Sequence, residues 1–280
     1  RASLVEEQDQ LGSTAHHPRY AIAYKFQGDA QTTRLIDVEW SVSRTGAITP
    51  VGLVEPVVLS GATVRRASLH NIGLVKKLAI TEQAEVLMMR RGGVIPHIES
   101  VIKASGKRIA IPKKCPSCGS PTKERDDFLF CTNPDSCLKS KVGELEHFVK
   151  VAEIEGFGAK LIEKLYEEGL VTDSAEFYQL SIDDLLQLER MGETLAAKLI
   201  RGVESKRELP LEVFLRSLGI RELGKHVARV LAGFGTLEKV QSLSKTELAE
   251  IHSFGEVIAG YVVDGLKEKR TLIKKLLKHI

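Results

Sequence analysis

Four cysteines are the sharpest chemical signal in the sequence. They stand as Cys115-x2-Cys118, then twelve residues, then Cys131-x5-Cys137, and the other 257 of the 280 residues contain none. A Cys-x2-Cys knuckle presents two sulfurs to one ion, Pro116 and Gly119 suit its tight turn, and the second pair closes the site. Four sulfurs at about 2.3 Å with no open position describe a structural tetrahedral Zn2+, not a catalytic one, with iron as the competing ion. Cysteines confined to one short stretch are not spread as in a disulfide-bonded secreted scaffold. Two disulfides are therefore the weaker alternative, and the chain reads as cytosolic. The expectation is one structural Zn2+ per chain on Cys115, Cys118, Cys131 and Cys137.

The second signal is a recurring glycine. Gly156-Phe-Gly158, Met191-Gly192-Glu, Glu222-Leu-Gly224 and Ser253-Phe-Gly255 give intervals of 34, 32 and 31 residues between Gly158, Gly192, Gly224 and Gly255. Each turn follows a short apolar segment and precedes an amphipathic one, as in Leu161, Ile162, Leu165 and Leu195, Leu199, Val203. The period also suits tetratricopeptide or ankyrin arrays, but their consensus features are absent. The pattern is helix–hairpin–helix. Glycine is expected to supply a positive φ at the bend, and the next helix then opens with unpaired N–H groups at the positive end of its dipole. Such a start binds phosphate oxygen without net charge. That matters because residues 1–140 carry a net charge of +5 and residues 141–280 a net of −2. Backbone donors read phosphate and not base edges, so the partner expected is DNA, bound independently of sequence. One such turn alone is more simply a glycine C-cap; four at near-constant spacing favour DNA. The expected contacts are Gly156, Gly158, Gly192, Gly224 and Gly255, with Lys160, Lys198 and Lys225 adding charge.

These elements need scaffolds, and the chain shows three textures. From about Tyr20 to Ile111 come short β-type runs, Arg34-Leu-Ile-Asp-Val-Glu-Trp-Ser-Val-Ser, Pro56-Val-Val-Leu and Ala84-Glu-Val-Leu-Met-Met, with turn signals at Thr45-Gly46 and Ser60-Gly61. About five strands with one helical insert near Ile72 to Leu78 suit a small Greek-key barrel of the OB type. The cysteine stretch follows, and helical periodicity begins at Val142. The fold class is therefore multidomain: a β OB-fold barrel, a small four-cysteine zinc module and an all-α helix–hairpin–helix domain. Arg44 and Thr45, at a strand end, are candidate DNA contacts, and Arg65-Arg66 and Arg90-Arg91 are paired cations. Aromatics make up only 5% of the chain, so a base-stacking platform is not expected and Trp40 reads as core. There is no phosphate-binding G-x-x-x-x-G-K-[ST] loop, no G-x-G-x-x-G after a strand, no metal spacing among the histidines and no hydrolase serine elbow. No apolar run approaches the roughly 20 residues of a membrane helix.

Further motifs carry a resemblance. Arg19-Tyr-Ala-Ile-Ala-Tyr-Lys25-Phe26, Val42-Ser-Arg44-Thr-Gly-Ala-Ile-Thr-Pro50-Val, Ala67-Ser-Leu-His70-Asn71, Gly92-Gly-Val-Ile-Pro96 and Gly219-Ile-Arg-Glu-Leu-Gly224, in this order around the cysteines and the four turns, resemble bacterial NAD+-dependent DNA ligases over essentially the whole chain. The resemblance implies sealing of single-strand nicks in duplex DNA, in replication and repair. A lysine attacks the NAD+ α-phosphate, the AMP passes to a 5′-phosphate, and the 3′-hydroxyl displaces it, with NAD+ and Mg2+ serving the full enzyme. Lys25 matches the lysine that contacts the adenylate phosphate, and Arg1 falls where another nucleotide-contacting lysine would stand. The implied division is 1–27 for the end of the adenylation domain, 28–111 for the OB-fold, 112–140 for the zinc finger and 141–280 for four helix–hairpin–helix repeats.

The departures matter as much. The family's nucleophile lies in Lys-x-Asp-Gly, and here the only Asp-Gly, Asp264-Gly265, has Val262 two positions before the aspartate. No catalytic nucleophile is therefore expected in this chain, which reads as the C-terminal, DNA-gripping portion of such a ligase: inactive alone, monomeric, bacterial, cytoplasmic and nucleoid-associated. The alternative is a non-catalytic repair scaffold that binds DNA structure through a zinc finger and helix–hairpin–helix repeats. A helical-repeat module for protein partners is a third class, and it predicts no DNA affinity.

Overall fold

The computed structural model describes residues 2–14, 17–22, 29–91, 95–252 and 254–280. The chain divides into two compact units, residues 1–141 and 142–280. No helix among the described residues is long and apolar enough to cross a membrane.

The first unit opens with a short helix, α1 (Val5–Leu11), followed by β1 (Ala30–Val42), β2 (Ala47–Leu59), β3 (Ala62–Ser68), α2 (Ile72–Lys77), β4 (Glu85–Arg91) and β5 (Ile95–Lys103). β2 shows how the sequence chooses a barrel. Ile48, Pro50, Gly52 and Val54 alternate inward at the period of two that a pleated strand imposes. The ladder to β3 then slips between Leu53 and Val57, where Pro56 has no N–H to donate. The slip bends the strand, as bulges do. β1 pairs with both β2 and β4, β4 with β5, and β5 runs parallel to β3 at His97 and Ser68, so the five strands close in the order 1-2-3-5-4-1. Leu35, Val54, Leu59, Val86, Met88 and Ile98 fill the barrel. α2 packs Val75 into it while Ile72 joins the cluster around the cysteines, and its first turn is capped by the Asn71 side chain, which accepts from the Leu74 N–H at 2.9 Å.

Two further strands, β6 (Thr122–Arg125) and β7 (Phe128–Cys131), form a hairpin. β7 joins the barrel sheet through Ala47 opposite Phe130 and Ile48 opposite Leu129. Trp40 is partly buried and packs against both the barrel core and the cluster around the cysteines, in keeping with its expected core role.

The second unit is wholly helical. Its successive helix pairs are α3 (Leu138–Val151) and α4 (Ala159–Glu167), α5 (Ile182–Leu186) and α6 (Glu193–Glu204), α7 (Leu211–Ser217) and α8 (Lys225–Ala232), and, after a connector α9 (Leu237–Ser242), α10 (Lys245–Glu250) and α11 (Gly255–Glu268); the helices of each of the last three pairs pack on each other. A last helix, α12 (Arg270–Leu276), follows. Phe148, Phe177 and Phe157 pack in the first two pairs, with Phe177 stacked on Phe148 at 6.3 Å and edge-on to Phe157 at 5.2 Å. The chain beyond α12 returns to this core. The His279 ring stacks on Tyr178, Arg207 donates to the His279 carbonyl at 3.2 Å, and Lys275 on α12 pairs with Asp173.

Candidate metal centre and nucleic-acid interface

The four cysteines converge as their spacing predicts. Their Sγ atoms all lie within 4.8 Å of one another, with Cys115 and Cys137 at 3.9 Å and Cys118 and Cys131 at 3.5 Å. Metal–sulfur bonds of about 2.3 Å in a tetrahedron put neighbouring sulfurs about 3.8 Å apart. A disulfide needs about 2.05 Å. All four cysteines are free, so the two-disulfide alternative fails here. The local chain explains the convergence. The Gly119 N–H donates to the Cys115 carbonyl at 2.9 Å and the Cys115 N–H to the Ser120 carbonyl at 2.7 Å, closing the first knuckle on Gly119 at φ +72°. β7 delivers Cys131, whose sulfur accepts the Asn133 N–H at 3.4 Å. A single 3-10 turn, Pro134–Ser136, then delivers Cys137.

The thiols are electrostatically uneven. Hydrogen bonding from Ser120 lowers Cys118 to about 6, while burial raises Cys131 to about 12 and also raises Cys115. Burial opposes ionisation of Cys137 too, but hydrogen bonds from Ser117 and Ser140 outweigh it and lower its pKa. One thiolate forms readily, and four crowded ones need a central cation to share their charge. This donor set suits a soft-ligand ion with no open position.

Arg44 and Thr45 occupy the β1–β2 turn, and that turn is built against the cysteine segment. The Gly46 carbonyl accepts the Cys131 N–H at 2.8 Å, and the Ser43 carbonyl accepts the Ser140 hydroxyl at 3.2 Å. Arg44 is half-buried there and Thr45 exposed, its hydroxyl 3.0 Å from that of Ser43. Lys25 and Arg1, the two expected nucleotide contacts, lie outside the described residues.

The four glycine turns sit where the periodicity places them, each joining two successive helices. The expected reason for glycine needs correction. Gly158, Gly192 and Gly224 are helix N-caps in extended conformation, with φ of −79°, −103° and −81°, which any residue adopts. Only Gly156 (+92°) and Gly255 (+57°) take a positive φ. In the second and third turns that strain falls on Arg190 (+64°) and Glu222 (+60°).

A Cβ built on Gly158, Gly192, Gly224 or Gly255 would meet nothing within 4 Å. The fold leaves open space there, and a side chain would only cover the amides behind it. Those amides are unused donors: neither Glu193, Thr194 and Leu195 in α6 nor Lys225, His226 and Val227 in α8 give their N–H to an acceptor among the described residues. By contrast, Ser181, Thr236 and Ser244 cap α5, α9 and α10 with their own side chains. The four second helices α4, α6, α8 and α11 have no side-chain cap. An uncapped first turn behind an open glycine is a ready anion site.

Lys160 and Lys225 lie in the first turns of α4 and α8, close to those amides. Lys198 does not; it is the sixth residue of α6, in the second turn. Two residues escaped the sequence reading. Glu193 and Glu256 open α6 and α11, so the even-numbered turns carry a carboxylate where the odd-numbered ones carry a lysine. The signal lies in the first one or two residues after each glycine, Lys160, Glu193, Lys225 and Glu256.

Comparison with known proteins follows the same divisions. The family description "NAD-dependent DNA ligase OB-fold domain" matches residues 32–109, "SAM-like Helix-hairpin-helix tandem" residues 148–205 and "Helix-hairpin-helix motif" residues 213–272. A DNA ligase of Bacillus licheniformis is 39% identical over 285 residues, spanning 99% of this chain and 42% of that protein. The chain belongs to the NAD-dependent DNA ligase family. Family members of Bacillus subtilis (39% identity, 94% of this chain, 41% of that protein) and Haloarcula marismortui (39%, 97% and 41%), both named DNA ligase, repeat the match. The chain thus spans about two fifths of the length of these ligases. The two helix–hairpin–helix matches each take in two of the four glycine turns.

Proposed function

We propose that this chain is the part of an NAD+-dependent DNA ligase that grips duplex DNA at a nick while adenylate chemistry is carried by other residues of the enzyme. The observation that carries the reading is the set of four uncapped helix starts behind open glycines, in a chain of this family. Their amides hold sugar–phosphate oxygens, so affinity is independent of base sequence. The lysines of the odd-numbered turns add charge where the unit as a whole has none to spare. In the ligase reaction AMP, carried from NAD+, is placed on a 5′-phosphate and expelled by the 3′-hydroxyl. The contribution of this chain is to hold the two ends of the interrupted strand in line, where orientation alone is worth several kcal/mol.

The cysteine site holds one Zn2+ on Cys115, Cys118, Cys131 and Cys137. Zinc supplies cross-linking there and no open coordination position. Lys25 is assigned to the adenylate phosphate and Arg1 to the nucleotide, and NAD+ and Mg2+ serve the whole enzyme. With no Lys-x-Asp-Gly, this chain forms no adenylated intermediate. The proposed division is 1–27, 28–111, 112–140 and 141–280. We assign it as a monomer acting on bacterial chromosomal DNA in the cytoplasm.

Fluorescence anisotropy on nicked and intact duplexes of two unrelated sequences tests this. The expected result is binding to both sequences alike, weakening steeply with salt, with nicked DNA preferred and no AMP retained on the protein after incubation with NAD+. Binding that ignores salt, or a protein–AMP adduct, would overturn it.

A further inference from the structure

The second unit carries a groove of about 640 Å3 that the glycine turns do not use. Its lining includes the partly exposed apolar residues Leu243 and Val263, with Val240 and Leu266 buried behind them, and three cations, Lys245, Lys267 and Arg270, against one carboxylate, Asp264. The volume is that of an ordinary ligand site. None of the three cations has an ion-pair partner among the described residues. This local excess of positive charge sits in a half-chain whose net charge is −2.

The helices place it. α10 and α11 pack against each other, and Lys245 at the start of α10 lies beside Gly260 in α11, with Lys267 further along the same helix. A Cβ on Gly260 would come 3.6 Å from the Lys245 Cε, an ordinary contact, so the lysine stem lies along α11 at this glycine. Gly255, at the phosphate-facing turn, is twelve residues before Lys267, about 18 Å away along the helix.

We propose that this groove docks an acidic segment of a partner protein, its apolar side chains on Leu243 and Val263 and its carboxylates on Lys245, Lys267 and Arg270. Charge complementarity and the apolar lining together fit an amphipathic acidic peptide. No aromatic residue lines the groove, so a nucleobase would find nothing to stack on. Lys267, toward the far end of α11, stands about 18 Å along the helix from the Gly255 turn, whereas Gly260 and Lys245 beside it are only about 8 Å along. A partner seated toward Lys267 could ride on the chain while DNA is bound.

A fluorescein-labelled peptide of repeating Asp-Leu-Glu-Leu, titrated with the chain, tests this, with Asn-Leu-Gln-Leu as control. The expected result is saturable, salt-sensitive binding of the acidic peptide, at least roughly tenfold tighter than the control, and unchanged by saturating duplex DNA or millimolar inorganic phosphate. Two variants keep the outcome clear of folding artefacts. Lys245→Glu/Lys267→Glu/Arg270→Glu reverses the charge of the lining, and Gly260→Leu fills the groove with a better helix former. Each should retain the wild-type helical circular dichroism and lose peptide binding at least roughly tenfold. No saturable binding, equal binding of the control, retention in both folded variants, or displacement by DNA or phosphate would each overturn the proposal. A chain that bound the peptide yet no DNA would leave it standing and sink only the reading of the glycine turns.

Discussion

Gly46 of the β1–β2 turn lies so close to Pro134 that a Cβ on the glycine would stand 3.0 Å from the proline Cβ, and its φ is +75°. The barrel turn that carries Arg44 and Thr45 is thus moulded onto the segment delivering Cys137. Gly46→Ala meets two penalties, a left-handed backbone and a contact that cannot relax without moving the cysteine loop. It should lose about 1–3 kcal/mol of stability. Urea melts should show the loss, and the variant should release metal to a chelator faster than the wild type.

Removal of the metal should reach the barrel. β7, which ends at Cys131, is paired with β2 at Ala47 and Ile48, so a metal-free cysteine segment frees one edge of β2. Chelation, or Cys131→Ser, should expose the amide of Ile48, which faces β7, to hydrogen exchange well before those of β4, while α6 and α8 stay protected. Uniform exchange across the first unit would contradict this coupling. Acid should assist release, because protons compete with the metal for sulfur.

At the turns, fold and grip should separate. Gly192→Leu places its side chain in open space, so stability should hold to within about 1 kcal/mol. It also covers the free amides of Glu193 and Thr194, and DNA affinity should fall roughly tenfold, the scale of one lost hydrogen bond to a charged group. Anisotropy and thermal melts on the same preparation check both halves.

The alternation of charge after the glycines predicts opposite effects. Lys160→Gln should weaken binding and reduce the salt slope by about 0.9. Glu193→Gln and Glu256→Gln should each strengthen it, roughly two- to fivefold, by removing a carboxylate that competes with phosphate at a helix start. Equal responses at odd and even turns would remove the distinction.

Acid should also reach the capping boxes. Hydrogen bonds from the Ser181 hydroxyl and N–H hold the Asp184 carboxyl below its usual range, and Ser244 does the same for Glu247. A carboxyl whose pKa is lower in the folded state stabilises the fold above its unfolded pKa, and that contribution fades as pH falls through the lowered value. Asp184→Asn should therefore reduce Tm at pH 7, with the difference from wild type closing toward pH 3. A gap that widened in acid would reverse the assignment.

Much of this was readable in the sequence because the signals were local. The Cys-x2-Cys spacing fixes a knuckle whatever surrounds it. The run from Arg34 to Ser43 reads as a strand, and β1 is Ala30–Val42; α2 begins at Ile72, where the helical insert was expected. What escaped depends on conformation or on distant pairing. Spacing marks Gly192 and Gly224 as special but does not say that their φ is negative and that Arg190 and Glu222 carry the strain instead. Lys198 was expected as a charge a few residues after its glycine, and spacing alone does not show that α6 starts at Glu193 and puts it in the second turn. The joining of β7 to β2 links residues some 80 positions apart, which no local pattern encodes.

The return of the chain onto Tyr178 and Arg207 has its own consequence. Residues from the last helix and beyond fasten onto the core of the first two helical pairs, so His279 and Lys275 act as a clasp that sets the reach between the earlier and later turns. Cutting that clasp would leave every hairpin intact yet let the distance between the earlier and later turns drift.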